Sequence, residues 1–176
     1  VLCALAGGRA QERFAPVVNP KTPSSVTFDN ERIDLTVDDR RERFERELIS
    51  MIYSHINTLG ELKRANWVFP ILKPILKSNG VPEDFVYLAC IESHLNPTAV
   101  SSAKAAGMWQ FMPTTAREYG LEVNDNVDER YDIEKATEAA CRYIKNARAR
   151  YGDWMSVAAS YNTGMGRISK ELEAQQ

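Results

Sequence analysis

A mainly helical domain is the fold class that this sequence predicts, and three observations lead there. Segment after segment between Asp38 and Tyr161 repeats apolar residues at the spacing of one helix face. Most of these segments close on a glycine, the residue that best accepts the left-handed turn after a helix. No segment carries the sustained alternation of a half-buried strand, so β structure is expected only as short pieces within loops. The composition agrees, since 176 residues that are 44% hydrophobic and 26% charged suffice for one core and some appendages. A net charge of −2 and a pI near 5.8, with Lys and Arg spread along the chain, argue against a nucleic-acid partner. The cysteines (Cys3, Cys90, Cys141) lack metal-ligand spacing, so no metal site is expected.

In chain order, the opening VLCALAGGRAQ resembles the end of a secretory signal peptide, an apolar run that finishes in small residues. The initiator Met and the charged start are missing, so the chain is read as an exported fragment. Cys3 raises a lipoprotein anchor, but Leu2 precedes it where a small residue is usual. Residues 11 to 35 are rich in Pro, Ser, Thr and Asn and read as an extended lead-in without function. From Asp38, read as an N-cap, Phe44, Leu48, Met51, Ile52, Ile56 and Leu59 recur at helical spacing until Gly60 stops the helix. His55 lies beside that stripe with no second ligand nearby and is read as an ordinary helix residue.

Trp67, Phe69, Ile71, Leu72, Ile75 and Leu76 make a second helix, which Pro70 and Pro74 should kink or divide before Asn79-Gly80 ends it. A third begins at Pro82, with Glu83 and Asp84 matching the positive end of its dipole. A loop rich in Ser, Ala and Gly leads to MWQFMP and a short helix from about Pro113, capped by Gly120. Residues 121 to 132 are polar and turn-like. Ala136, Ala140, Tyr143, Ile144, Ala147 and Tyr151 then mark one face of a long helix closed by Gly152. A last helix starts near Asp153, carries Trp154, Val157, Ala158 and Tyr161, and runs into the turn NTGMG. Cys90 and Cys141 could pair in an oxidising compartment, although their helical settings favour plain buried thiols.

One residue breaks the pattern. Phe85, Leu88 and Ala89 fall on one apolar face of the third helix, and the next position on that face is Glu92. A buried carboxylate is costly unless it is paired, and burial raises its pKa. Glu92 therefore either meets an Arg or a helix N-terminus, or reaches solvent at the edge of the stripe, or serves as a carboxylic acid kept protonated for proton donation. Downstream, Gly107, Trp109, Gln110, Phe111 and Met112 combine apolar surface with an amide, a mixture that suits a sugar and equally suits a loop plugging the core. Tyr161 and Asn162 stand at a helix end before glycines, where side chains can face a cleft.

Taken in order, ES at 92–93, SSAKAAGMWQFMPTTA at 101–116 and AASYNTG at 158–164 form a series. With VPEDFVYLACIES, VDERYD at 127–132 and the Ala-rich helix before YGDW, the series resembles the catalytic domain of lytic transglycosylases, closest to the membrane-bound type D group. These lysozyme-like enzymes cleave bacterial peptidoglycan, and the resemblance covers roughly residues 62 to 168. It implies a lysozyme-like fold of the α+β class, with residues 1–35 as leader remnant and lead-in, 36–80 as N-terminal helices packing on the core, and 81–176 as the catalytic domain. It makes Glu92 the catalytic acid and Ser93 a structural neighbour. Ser101 matches a loop serine near the substrate's N-acetyl group, Gln110 and Met112 match residues contacting glycan, and Tyr161 and Asn162 match a pair that holds substrate and orients the acid. Met108, Ser160 and Met165 depart from the usual Leu, Ala and Pro, and the family's domain usually continues past Lys170, often into carbohydrate-binding LysM modules.

The implied reaction needs no cofactor and no water. Protonated Glu92 would donate to the oxygen between N-acetylmuramic acid and N-acetylglucosamine while the substrate's acetamido group supports the oxocarbenium ion. The carboxylate would then take the muramyl C6 hydroxyl proton as a 1,6-anhydro ring closes. An ordinary glycosidase needs a second carboxylate, and Asp125, Asp128, Glu129 and Asp132 read as caps and solvated turns. The alternatives are a hydrolase of the same fold, with a loop acid such as Asp128 activating water, and a non-catalytic peptidoglycan-binding module. The expected setting is the periplasm or cell envelope of a bacterium, with glycan strands as partner, a monomeric state, and membrane or cell-wall association left open.

Overall fold

A computed structural model describes residues 21–163, apart from the side chains of His55, Asn162 and Thr163. The expectations about the leader, Cys3, the turn from Gly164 onward, Met165 and the ending lie outside the described residues, as does the reading of the His55 side chain. The described chain runs β1 (Ser25–Phe28), β2 (Glu31–Asp34), α1 (Asp38–Tyr53), α2 (His55–Ser78), α3 (Val86–Ser93), α4 (Pro113–Glu118), α5 (Ile133–Tyr151) and α6 (Trp154–Thr163). Short 3₁₀ turns at Glu83–Phe85 and Glu129–Tyr131 lead into α3 and α5. Helix dominates, as the apolar spacing requires.

The lead-in departs from the sequence expectation, because residues 25–34 form an antiparallel hairpin with Val26 opposite Ile33. Asp29 and Asn30 take φ of 44° and 65°, the paired left-handed conformation of a two-residue hairpin turn that Asp and Asn tolerate. The hairpin is attached to the core. The Asp29 N–H donates to Asp84 Oδ2 at 2.9 Å, and the Phe28 ring meets Phe85 edge-on at 5.2 Å.

The first two helices also divide differently. The break falls at Ser54 (φ −87°, ψ 53°), whereas Gly60, Pro70 and Pro74 all lie within α2. Helix N-capping shifts by one residue, to Val37. Prolines remove hydrogen bonds and crowd the preceding turn, yet Val68, Leu72 and Leu76 are fully buried along α2 and packing offsets that cost. The stripe expected on the first helix does not enter the core. No residue of α1 is buried, and Met51, Ile56 and Leu59 are 54%, 88% and 59% exposed.

The core lies between α2, α3, α5 and the 106–111 loop. Helix α5 supplies its spine, with Ala136, Ala139, Ala140, Ile144 and Ala147 out of solvent and alanines letting neighbours approach closely. Asp132 caps its start by accepting from the Lys135 N–H at 2.9 Å, and Gly152 (φ 82°) ends it, as the sequence requires. Asp153 accepts from the Ser156 N–H at 2.7 Å to begin α6. Cys90 and Cys141 are free thiols, the second buried. Among the described residues no helix is long and apolar enough to cross a membrane.

Candidate active site

Helix α3 is eight residues long, and Glu92 is its penultimate residue. The apolar face read from the sequence is present: Phe85, Leu88 and Ala89 are buried, and Glu92, next along it, is half-buried. Burial lifts its carboxyl above the ordinary carboxylate value. Neither an Arg nor a helix N-terminus compensates it, since among the described residues no ion pair or hydrogen bond to its carboxylate is found. Tyr161 of α6 and Tyr143 of α5 both feel the Glu92 charge; burial first, and that charge among lesser causes, pushes Tyr143 up to about 12 and Tyr161 well above the usual phenol value.

The end of α3 is fixed by a left-handed turn. His94 (φ 51°) donates its N–H to Cys90 O at 2.8 Å, and Leu95 (φ 59°), fully buried, donates to Ala89 O at 3.3 Å. Ser93 is structural, its buried hydroxyl hydrogen-bonding Met108 O at 2.8 Å and Ala89 O at 3.1 Å. Tyr161 reaches the same loop, donating its hydroxyl proton to Trp109 O at 3.1 Å, and its ring meets those of Trp109 and Tyr143 at 6.4 and 5.1 Å. Glu92, Tyr161 and the turn around Gln110 thus form one cluster.

The 99–111 loop corrects one reading. Trp109 and Phe111 are not sugar-facing surface; they are 1% and 4% exposed, and Trp109 donates its indole N–H to Thr137 at 2.9 Å. They plug the core, the alternative the sequence left open. Gln110 (φ 49°) donates through Nε2 to Gly107 O at 2.8 Å and Ala99 O at 3.2 Å, so its amide nitrogen is tied to the loop backbone. Met112 is 42% exposed and begins α4 as its N-cap. Ser101 accepts the Ala105 N–H at 3.0 Å, and its hydroxyl proton is not used in that bond. Asn162 lies in α6, one residue beyond Tyr161, with its side chain outside the described part.

Arg130 is the residue that sequence reasoning missed. It is 8% exposed and grips Asp128 through both carboxylate oxygens, Nε to Oδ1 at 2.9 Å and Nη2 to Oδ2 at 2.7 Å. Its Nη1 also donates to Lys104 O at 2.8 Å and Phe111 O at 3.0 Å, tying the 129–131 turn to the loop beside Glu92. Hydrogen bonds from Arg130 hold the Asp128 carboxyl below its usual range. An Arg in a polar stretch gives no sequence signal of burial. A hollow of about 560 Å³ lies elsewhere, lined by Glu118, Tyr119, Gly120, Arg142, Lys145 and Asn146, and holds none of the expected site residues. Among the described residues no three His, Cys, Asp or Glu side chains are grouped to hold a metal ion.

A family model described as the Transglycosylase SLT domain matches residues 69–176. The membrane-bound lytic murein transglycosylase D of Escherichia coli (strain K12) is 34% identical over 134 residues, 76% of this chain and 29% of that protein. The peptidoglycan transglycosylase gp16 of Escherichia phage T7 is 38% identical over 101 residues, 55% of this chain and 8% of that protein. The membrane-bound lytic murein transglycosylase C of Haemophilus ducreyi is 27% identical over 140 residues, 72% of this chain and 37% of that protein. The chain spans less than a third of the length of the Escherichia coli relative.

Proposed function

The chain belongs to the transglycosylase SLT domain family, and from that premise we propose that it is a peptidoglycan lytic transglycosylase with Glu92 as its acid. The carrying observation is Glu92 itself, half-buried on an apolar face with its pKa raised by desolvation and no counter-ion among the described residues. Such a carboxyl holds its proton into the pH range where a glycosidic oxygen needs one. In the proposed route Glu92 protonates the oxygen linking N-acetylmuramic acid to N-acetylglucosamine. The substrate's acetamido group supports the positive charge, and ionised Glu92 then accepts the C6 hydroxyl proton as the 1,6-anhydro ring closes. Glu92 thereby ends the cycle protonated, and the reaction consumes no water.

A hydrolase of this fold would need a loop acid such as Asp128 to activate water, and both oxygens of Asp128 are engaged by Arg130. A carboxylate so paired is a poor base toward water, which favours the single-acid route. Tyr161, Gln110, Ser101, Met112 and Asn162 are proposed as the glycan contacts. The substrate places the enzyme in the bacterial envelope, outside the cytoplasm, in keeping with the names of the membrane-bound relatives. The test is release of soluble fragments from purified peptidoglycan by the chain and by Glu92→Gln. The amide keeps the shape without an acidic proton, so turnover should vanish while sedimentation with peptidoglycan persists. Undiminished release by Glu92→Gln would sink the assignment, and binding without cleavage by both proteins would favour a binding module.

A further inference from the structure

The back of helix α3 is held by one short stretch of α2. Glu61 Oε2 lies 3.1 Å from Nδ1 of His94, and the same carboxylate acts on the Cys90 thiol, adding to the burial that pushes it up to about 12. One turn along α2, Arg64 donates Nε–H to the His94 carbonyl at 2.7 Å. Cys90 lies on α3 two residues before Glu92, and His94, in the left-handed turn that closes the helix, follows Glu92 by two. Glu61 thus grips the residues two before and two after the acid. The gripped residue is also the strained one, because His94 and Leu95 both hold positive φ without being glycine, a conformation that needs surrounding contacts to persist.

From this juxtaposition we infer that Glu61 and Arg64 are positioning residues for Glu92, holding the left-handed turn that aims the end of α3 toward Tyr161 and Tyr143. They touch neither acid nor substrate and act through His94 and Cys90. The inference rests on the transglycosylase reading for its kinetic consequence, and its structural consequence stands apart from it. Without the clamp the turn relaxes, Glu92 gains water, and the acid loses both its aim and its raised pKa. Misplacement of a reacting group by about 1 Å costs up to about 100-fold in rate.

The experiment uses Glu61→Gln, Arg64→Ala and the milder Arg64→Lys, each first checked for cooperative unfolding and assayed well below its melting temperature. Two quantities are read: steady-state kinetics on peptidoglycan, and the Glu92 titration followed by carbon NMR of its labelled carboxyl. The expected result is a fall in kcat of about 10-fold or more at near-constant KM for Arg64→Ala. It should be partly rescued in Arg64→Lys and accompanied by a Glu92 pKa that moves down toward the ordinary carboxylate value. A merely structural role lowers the melting temperature and leaves the Glu92 titration where it was. An unmoved titration in folded Arg64→Ala and Glu61→Gln overturns the inference, as does wild-type kcat. Inactivity of the wild-type chain would count against the transglycosylase reading alone, and the titration would still decide the role of the clamp.

Discussion

Glu92 is held in a state its sequence neighbours only half explain. Phe85, Leu88 and Ala89 define the face, but the raised pKa comes from burial in the folded chain, where Tyr143 and Tyr161, 51 and 69 positions away, feel its charge. A consequence follows for pH. With its folded pKa above the unfolded one, the group's contribution to stability is full below the unfolded value of 4.5 and is lost as pH rises through the folded pKa. Glu92→Gln has no charge to bury, so its melting temperature should gain on the wild type between acid and neutral pH. Parallel melting curves for the two proteins from pH 4 to 8 would contradict the burial account. Activity should fall over the same upper limb, since the proton to be donated is gone. The aromatic loop was the residue-scale reading that periodicity could not settle. Trp109 and Phe111 belong to the core, and the Trp109 indole N–H finds its partner in Thr137 of α5, 28 residues distant.

Elements owe their ends to local chemistry and their continuity to packing. Gly152 ended a helix and Asp153 began one where the sequence placed them, because caps act within one turn. Gly60, Pro70 and Pro74 failed as breakers because burial of Val68, Leu72 and Leu76 outweighs the local cost along α2. The loop between α3 and α4 makes the sharpest glycine demand. A Cβ on Gly107 (φ 79°) would stand 1.8 Å from the Arg130 carbonyl oxygen, so backbone would have to move. Gly107→Ala should therefore destabilise the fold by about 3 kcal/mol, from steric overlap and a disfavoured φ together. Urea unfolding measures it; a loss under about 1 kcal/mol, the cost of an ordinary surface change, would mean that Arg130 does not press on this turn.

Across the whole molecule, chain segments that look dispensable are joined to the helical core. The hairpin packs on Phe85, just before α3, and Phe85 in turn meets Trp154 of α6 at 5.5 Å, so Phe85 links residues 25–34 to α6. Removing residues up to 36 should lower stability by about 2 kcal/mol through the uncovered aromatic surface, and unchanged urea unfolding would contradict that attachment. Among the described residues the sequence carried the helices after Asn79 well, because each rests on contacts within a few residues. The hairpin hid in a polar stretch, and the Arg130–Asp128 grip and the α2 clamp on His94 were illegible, being made by ordinary charged residues whose meaning is set by tertiary contact. The claim on which function turns is a single acid acting without water. Mass spectrometry of the soluble products from purified peptidoglycan tests it most directly. Anhydromuropeptides from the wild-type chain, absent with Glu92→Gln, are the predicted result; products ending in reducing muramic acid would contradict it and require a second carboxylate.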